Sequence, residues 1–298
     1  MSELVDVARA GGSLSDAADE RTRLLIDGFL HTDGPPPARF SWVVLGSHAR
    51  RELHCASDQD SALFWETPQA ASSSYAKDLA NTVIDGLEEF GMRRCDGGYM
   101  ADTWSHSVED WEAIFRERVN APTAEAVIDA DVFLDVRPLT AGVDVGPALA
   151  ELALGKNSAR LMHGLAVAAN GFPTPLGAFG RLPRGPVDLK KAGLAPIVLL
   201  ARLYALKAGV PEVGTQDRLV AAAPVLGEEL STRLREGYAL MSRLRLANQI
   251  QQIDDREYLT DTIDPQELGA TEFEGLRDAF RAIKSAQSVT GVAFRTDL

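Results

Sequence analysis

Two aspartates two positions apart, Asp58 and Asp60, follow a Gly46-Ser47 turn that closes the apolar run Trp42-Val43-Val44-Leu45. In a strand, residues i and i+2 point to one face, so the two carboxylates project together with their Cα atoms about 7 Å apart. Like charges on one face repel unless a cation lies between them. A pair of Mg²⁺ ions about 4 Å apart, with Mn²⁺ as a substitute, is the usual arrangement where phosphoryl groups are transferred. Gly46 lets the backbone approach a phosphate with no Cβ in the way, and Ser47 offers a hydroxyl. A helix over residues 47–53 would face an anion with its N-terminal N–H groups. An isolated Asp-x-Asp is more often a solvated strand end. The turn upstream and the apolar Ser61-Ala62-Leu63-Phe64-Trp65 downstream favour the site.

Such chemistry usually recruits a third acid. Asp135, within Val132-Phe133-Leu134-Asp135-Val136-Arg137, is a charged residue in an apolar strand pattern, and a buried carboxylate needs a metal or a partner. Its alternative is a salt bridge to Arg137 on the same face; Asp131 shares that face at the strand's exposed start. Arg50, Arg51, Arg93 and Arg94 lie close in sequence and are candidate triphosphate ligands, or else ordinary surface arginines.

The elements that must hold these residues follow from periodicity and turn chemistry. Residues 13–33 form an amphipathic helix capped by Ser13 or Ser15, and Gly34-Pro35-Pro36-Pro37 breaks it ahead of a strand over 40–46. A helix over 75–91 ends at Gly91. The segment Cys95-Asp96-Gly97-Gly98-Tyr99-Met100 is a loop that no packing argument demands. Ser107 caps the next helix, and 131–136 reads as a third strand. From about 145 onward helical periodicity dominates, over 146–170, 193–209, 214–224, 227–252, 264–268 and 272–290. This is an α+β chain: an N-terminal helical segment (1–40), a core of mixed sheet and helices (41–145) and an all-α helical bundle (146–298).

Composition narrows the function classes. The chain has 298 residues, 45% apolar and 24% charged, as in a soluble globular protein. A net charge of −13 opposes a general nucleic-acid binder, which needs a basic footprint. No run of 18 apolar residues suggests a membrane span, and the N-terminus lacks the features of a signal peptide. Cys55 and Cys95, widely spaced, read as free thiols of a reducing cytosol, so a cytoplasmic location is expected.

Gly46-Ser47, Asp58-x-Asp60 and a later strand aspartate resemble the signature of the DNA polymerase β-like nucleotidyltransferase superfamily. Gly46-Ser47-x-x-Arg50-x-Glu52 followed by Ser57-Asp58-Gln59-Asp60-x-Ala62-Leu63 narrows the resemblance. It points to a nucleotidyltransferase family often fused behind CBS and cyclic-nucleotide-binding modules and similar to the protein-PII uridylyltransferases. Gly97-Gly98-Tyr99-Met100-Ala101 with Trp104, Ser107 and Trp111, and then Phe133-Leu134-Asp135-Val136-Arg137-Pro138-Leu139, match its next blocks. Asp188-Leu189-Lys190, Thr215-x-x-Arg218-Leu219 and Arg243-Leu244-Arg245 with Gln249 match its C-terminal half. Two departures stand out. Only some 40 residues precede the core, which leaves no room there for those modules, and no His-Asp dipeptide occurs, so the hydrolase half of a bifunctional uridylyltransferase is not expected.

The resemblance implies a polymerase β-like nucleotidyltransferase core followed by a helical bundle. It further implies transfer of an NMP from an NTP to a hydroxyl of a protein or small molecule, with release of pyrophosphate. Asp58, Asp60 and Asp135 would hold the metals, with Asp135 completing the ion that activates the acceptor or acting as base. Gly46 and Ser47 would bind the β- and γ-phosphates, Arg50 would offset charge on the leaving group, and Glu52 would orient Arg50. Lys190 would reach the phosphates from the second domain, across a cleft. The alternatives are a catalytically silent, nucleotide-binding regulator and, disfavoured by charge, nucleic-acid tailing. The bundle could also serve as a homodimer interface.

Overall fold

After a short helix α1 (Glu3–Arg9), the Ser13 side chain accepts the Asp16 N–H at 3.2 Å and starts α2 (Leu14–Asp33), which Gly34 ends at φ 83°. The strand β1 (Phe40–Leu45) follows. All six of its residues are buried, as expected for a strand covered on both faces. A one-turn helix α3 (Gly46–Ala49) leads to β2 (Asp58–Gln59) and β3 (Ser61–Trp65). Then come α4 (Pro68–Ala71) and α5 (Ser74–Phe90), the latter capped by Ser73 and ended by Gly91 in the left-handed region. The short strands β4 (Arg93–Arg94) and β5 (Ser105–Ser107) precede α6 (Val108–Asn120), where Ser107 Oγ accepts the Asp110 N–H at 3.1 Å. The first half closes with α7 (Ala124–Phe133), β6 (Val136–Pro138) and α8 (Gly146–Ala153). This computed structural model describes residues 3–120 and 122–296.

The chain divides into two compact units between Leu154 and Gly155. In the first, a four-stranded sheet has the order β5-β3-β1-β6. β1 runs antiparallel to both neighbours, with Val44 opposite Ser61 on one side and Arg137 on the other, while β3 pairs in parallel with β5. A separate parallel pair joins β2 to β4, with Asp58 opposite Arg93. An aromatic cluster underlies the sheet: Trp111 stacks on Phe64 at 4.7 Å between ring centroids and on Trp104 at 5.7 Å, and Phe133 meets both tryptophans edge-on.

Two sequence expectations are corrected here. Residues 131–136 are not a strand. The alternation of Val132, Leu134 and Val136 imitates period two, but Thr123 caps a helix whose buried Ala126, Asp129, Ala130 and Phe133 lie at i, i+3, i+4 and i+7. Extended pairing begins only at Val136. The helix read over 146–170 is also broken: α8 ends at Ala153, a 3₁₀ turn spans Leu154–Asn157, and Ser158 caps a new helix. α8 packs on α6 within the first unit.

The second unit is a helical bundle of α9 (Ala159–Asn170), α10 (Ala195–Ala208), α11 (Thr215–Leu226), α12 (Glu228–Asp254) and α13 (Ala270–Phe294). A small antiparallel pair, β7 (Val187–Asp188) with β8 (Thr262–Ile263), trims one edge. Its core contains Leu200, Tyr204, Leu219, Met241, Phe280 and Ile283. Among the described residues, no helix is long and apolar enough to cross a membrane. The α12–α13 contact depends on Gly237, where an added Cβ would lie 2.6 Å from Ala279 Cβ. Gly237→Leu should therefore overpack the bundle and cost about 1–3 kcal/mol, read as a lower urea midpoint; an unchanged midpoint would show that the two helices have room to separate.

Candidate active site

The site begins where β1 ends. Leu45 donates its N–H to the Asp60 carbonyl at 3.0 Å, and Gly46 donates to the Asp135 carbonyl at 3.1 Å. The turn is thereby stitched to the residues entering β3 and β6. Gly46 adopts φ 54°, and a Cβ there would stand 2.9 Å from Asp60 Oδ2. Glycine is needed both for the backbone conformation and for the carboxylate that packs against it. The helix after the turn is shorter than expected, Gly46–Ala49 rather than 47–53, and Arg51 at φ 61° breaks its continuation. The Gly46 N–H is already bonded to the Asp135 carbonyl, so this turn does not present the full set of free N–H groups expected of a helix N-terminus.

The Asp58 and Asp60 carboxylates come together, although β2 ends at Gln59 and Asp60 lies between β2 and β3 rather than in one strand with Asp58. Gln59 between them is buried, and its amide donates to the Ile84 and Met92 carbonyls at 3.1 and 3.3 Å. This anchors the middle residue inward and leaves both carboxylates on the opposite side. A third side chain joins them: ligand atoms of Asp58, Asp60 and Cys95 all lie within 4.8 Å of one another. The Cys95 thiol hydrogen-bonds the Asp60 carboxylate. Burial pushes it up to about 11 and the Asp60 charge adds to this, against hydrogen bonds from the Tyr99 and Gly97 backbone.

The loop carrying Cys95 is well held. The Ser61 N–H donates to the Tyr99 carbonyl at 3.0 Å, and the Ala101 N–H donates to Ser61 Oγ at 3.2 Å. The Tyr99 hydroxyl donates to Asp129 at 2.9 Å, and its ring stacks on Trp104 at 5.7 Å. Sequence reasoning passed over Cys95 as a free thiol. The available signal was its place in a polar, glycine-rich loop with no packing purpose.

The other expected site residues fall into two groups. Arg50 donates through Nε to Glu52 Oε2 at 2.7 Å and forms an ion pair with the fully buried Asp135 carboxylate. Arg50, Glu52 and Asp135 thus form one connected cluster, and the salt bridge proposed from Asp135 to Arg137 is replaced by one to Arg50. The remaining arginines are engaged elsewhere. Arg94 pairs with Asp85 and Glu88 of α5, Arg93 donates to the Ala56 carbonyl at 2.7 Å, and Arg51 pairs with Asp16 and Asp19. Lys190 is exposed at the start of a π-helical stretch, Lys190–Leu194, in the second unit.

Asp19 was not foreseen. It lies on the apolar stripe of α2, buried, and Arg137 grips both its oxygens at 2.8 Å, while His48 Nε2 approaches Oδ1 at 2.8 Å. Arg137 also donates to the carbonyls of His48 and Ala49, so one carboxylate ties α2 to α3 and β6. Burial raises Asp19, but the bonds from His48 and Arg137 outweigh it and hold the carboxyl well below its usual range. Burial lowers His48, against the pull of Asp19 and with help from the Arg137 and Arg51 charges, so the neutral ring donates through Nε2.

A family model described as "Putative nucleotidyltransferase DUF294" matches residues 1–125, and one described as "Putative nucleotidyltransferase substrate binding domain" matches residues 159–294. The α+β first unit and the helical second unit are consistent with this pairing. The chain belongs to this nucleotidyltransferase family. No curated protein matches it.

The His48 environment makes a pH prediction. The unfolded chain takes up a proton at His48 near pH 6.5, and the folded chain does so only at lower pH. Its contribution is complete above that value and is lost as pH falls below about 6.5 toward the folded value. Melting temperature should decline over that range, and His48→Gln should flatten the decline; an equal slope in the variant would exclude His48 as its source.

Proposed function

We propose that the first unit transfers a nucleoside monophosphate from an NTP to a hydroxyl of a protein or small molecule, releasing pyrophosphate. The observation that carries this is the convergence of the Asp58 and Asp60 carboxylates beside the Gly46-Ser47 turn in a chain of a nucleotidyltransferase family. The donor set fits hard divalent cations: two carboxylates suit Mg²⁺ or Mn²⁺. Such ions, held by Asp58 and Asp60, would neutralise triphosphate charge and favour the ionised acceptor hydroxyl.

The protein groups then have separable tasks. Gln59, locked inward, keeps the two carboxylates on one face. Gly46 leaves the space that Asp60 occupies. Ser47 supplies a hydroxyl for a terminal phosphate. Arg50, held at rest by Glu52 and Asp135, is the cation beside the turn that would offset charge on the departing pyrophosphate. Asp135 serves as the third acid only where Arg50 turns from it toward phosphate. That resting pair is also the observation that favours the second reading, a nucleotide-sensing regulator without turnover. Cys95, bonded to Asp60, positions that carboxylate.

Calorimetry with each NTP, with and without Mg²⁺, tests the site, and pyrophosphate release tests the turnover. Wild type should bind one NTP in a Mg²⁺-dependent manner, and Asp58→Asn/Asp60→Asn should lose that binding. Asp60→Ala should lose turnover and keep its fold; full turnover in that variant would overturn the assignment. Binding with no pyrophosphate release under any acceptor would favour the regulator. For Cys95, removal of a group that orients a ligand typically costs about 10–100-fold in metal affinity. Cys95→Ala should weaken Mn²⁺ binding by about tenfold or more, and Cys95→Ser, which keeps a donor to Asp60, should restore most of it. Equal affinity in all three proteins would remove Cys95 from the site.

A further inference from the structure

In a chain with net charge −13, one groove of the second unit is lined by three cations and no carboxylate. It is a shallow, open depression of about 630 Å³. Arg233 comes from α12; Arg281, Lys284, Ser285 and Ser288 come from α13; Gly180 closes the side nearest the turn Ala178–Gly180. Their spacing on α13 (i, i+3, i+4 and i+7) places the two cations and two hydroxyls on one helix face.

The charges are only partly compensated. Arg281 pairs with Asp278 at 3.2 Å, whereas neither Arg233 nor Lys284 forms an ion pair among the described residues. The Arg281 guanidinium lies against Gly180, where an added Cβ would be 3.2 Å from its Nε. Arg281 and Lys284, one turn apart, repel, and Arg233 faces the same groove; an anion among them would relieve that repulsion. The groove's polar side chains are rich in donors. Two guanidiniums, an ammonium and two hydroxyls suit a tetrahedral oxyanion with three free oxygens better than a carboxylate with two.

We propose that this groove binds a small molecule carrying a phosphate group. The inference stands on the second unit alone and does not depend on transfer chemistry in the first. The test uses the full chain carrying Asp58→Asn/Asp60→Asn, without divalent metal, so that phosphate affinity cannot arise from a metal at the first unit's carboxylates. Inorganic phosphate and glycerol 3-phosphate are titrated by calorimetry, with acetate at matched ionic strength as the control. Saturable binding of both phosphates is expected, with acetate much weaker. Arg233→Ala/Lys284→Ala should weaken it by about tenfold or more, the scale of a lost charge-assisted contact. Ser285→Asp, which adds a negative charge and keeps all three cations, should do the same. Melting curves check that both variants fold. Absence of saturable binding, equal binding of acetate, or unchanged affinity in both variants would overturn the proposal.

Discussion

The candidate site depends on how closely the turn after β1 approaches the backbone on either side of it. The Leu45 and Gly46 N–H groups reach the Asp60 and Asp135 carbonyls, and Gly46 leaves Asp60 Oδ2 space that any side chain would take. Three segments distant in sequence are thereby held at one point by two hydrogen bonds and an absent Cβ. The acids project from this junction. A carboxylate positioned by backbone pairing does not depend on the rotamers of long side chains, and such rigidity is what charge-stabilising sites require.

Around that junction, charge is buried in pairs. Asp135 is neutralised by Arg50, which Glu52 also holds, and Asp19 is neutralised by Arg137 and hydrogen-bonded by His48. Removing one member of such a pair leaves an uncompensated charge, so these contacts specify an arrangement more than they add net stability. The Asp19 network fixes α2 against the turn from behind, while the Asp135–Arg50 pair fixes the cation that follows it. The same logic, seen from its unsatisfied side, distinguishes the basic groove of the second unit: among the described residues, two of its cations form no ion pair.

Where pattern and structure diverged, the cause was the length scale of the signal. Val132, Leu134 and Val136 alternate like a strand over a few residues, yet the Thr123 cap and the spacing of Ala126, Ala130 and Phe133 carry a helix into that stretch as far as Phe133, and pairing starts only at Val136. Cys95 offered no periodicity at all. It reaches Asp60 because Tyr99, stacked on Trp104 and bonded to Asp129, pins its loop beside β3. Arg137 sits in strand register with Val44, but its guanidinium reaches back to α2, 118 residues earlier in the chain.

The sequence by itself determined the local elements and the chemical vocabulary of the site. Ser13, Ser73, Ser107 and the glycines after α2 and α5 mark helix ends through hydrogen bonds within a few residues, and Asp58 and Asp60 are two positions apart around the single buried residue Gln59. Gly46, Ser47, Arg50 and Glu52 were legible as a group because they are contiguous. Only the tertiary structure decided which charge meets which: Asp135 with Arg50 across 85 residues, Arg137 with Asp19 across 118, and Cys95 with Asp60. Those pairings are set by strand order and by the packing of α2 and the 95–101 loop on the sheet. No local pattern of residues encodes which buried charge will find which partner.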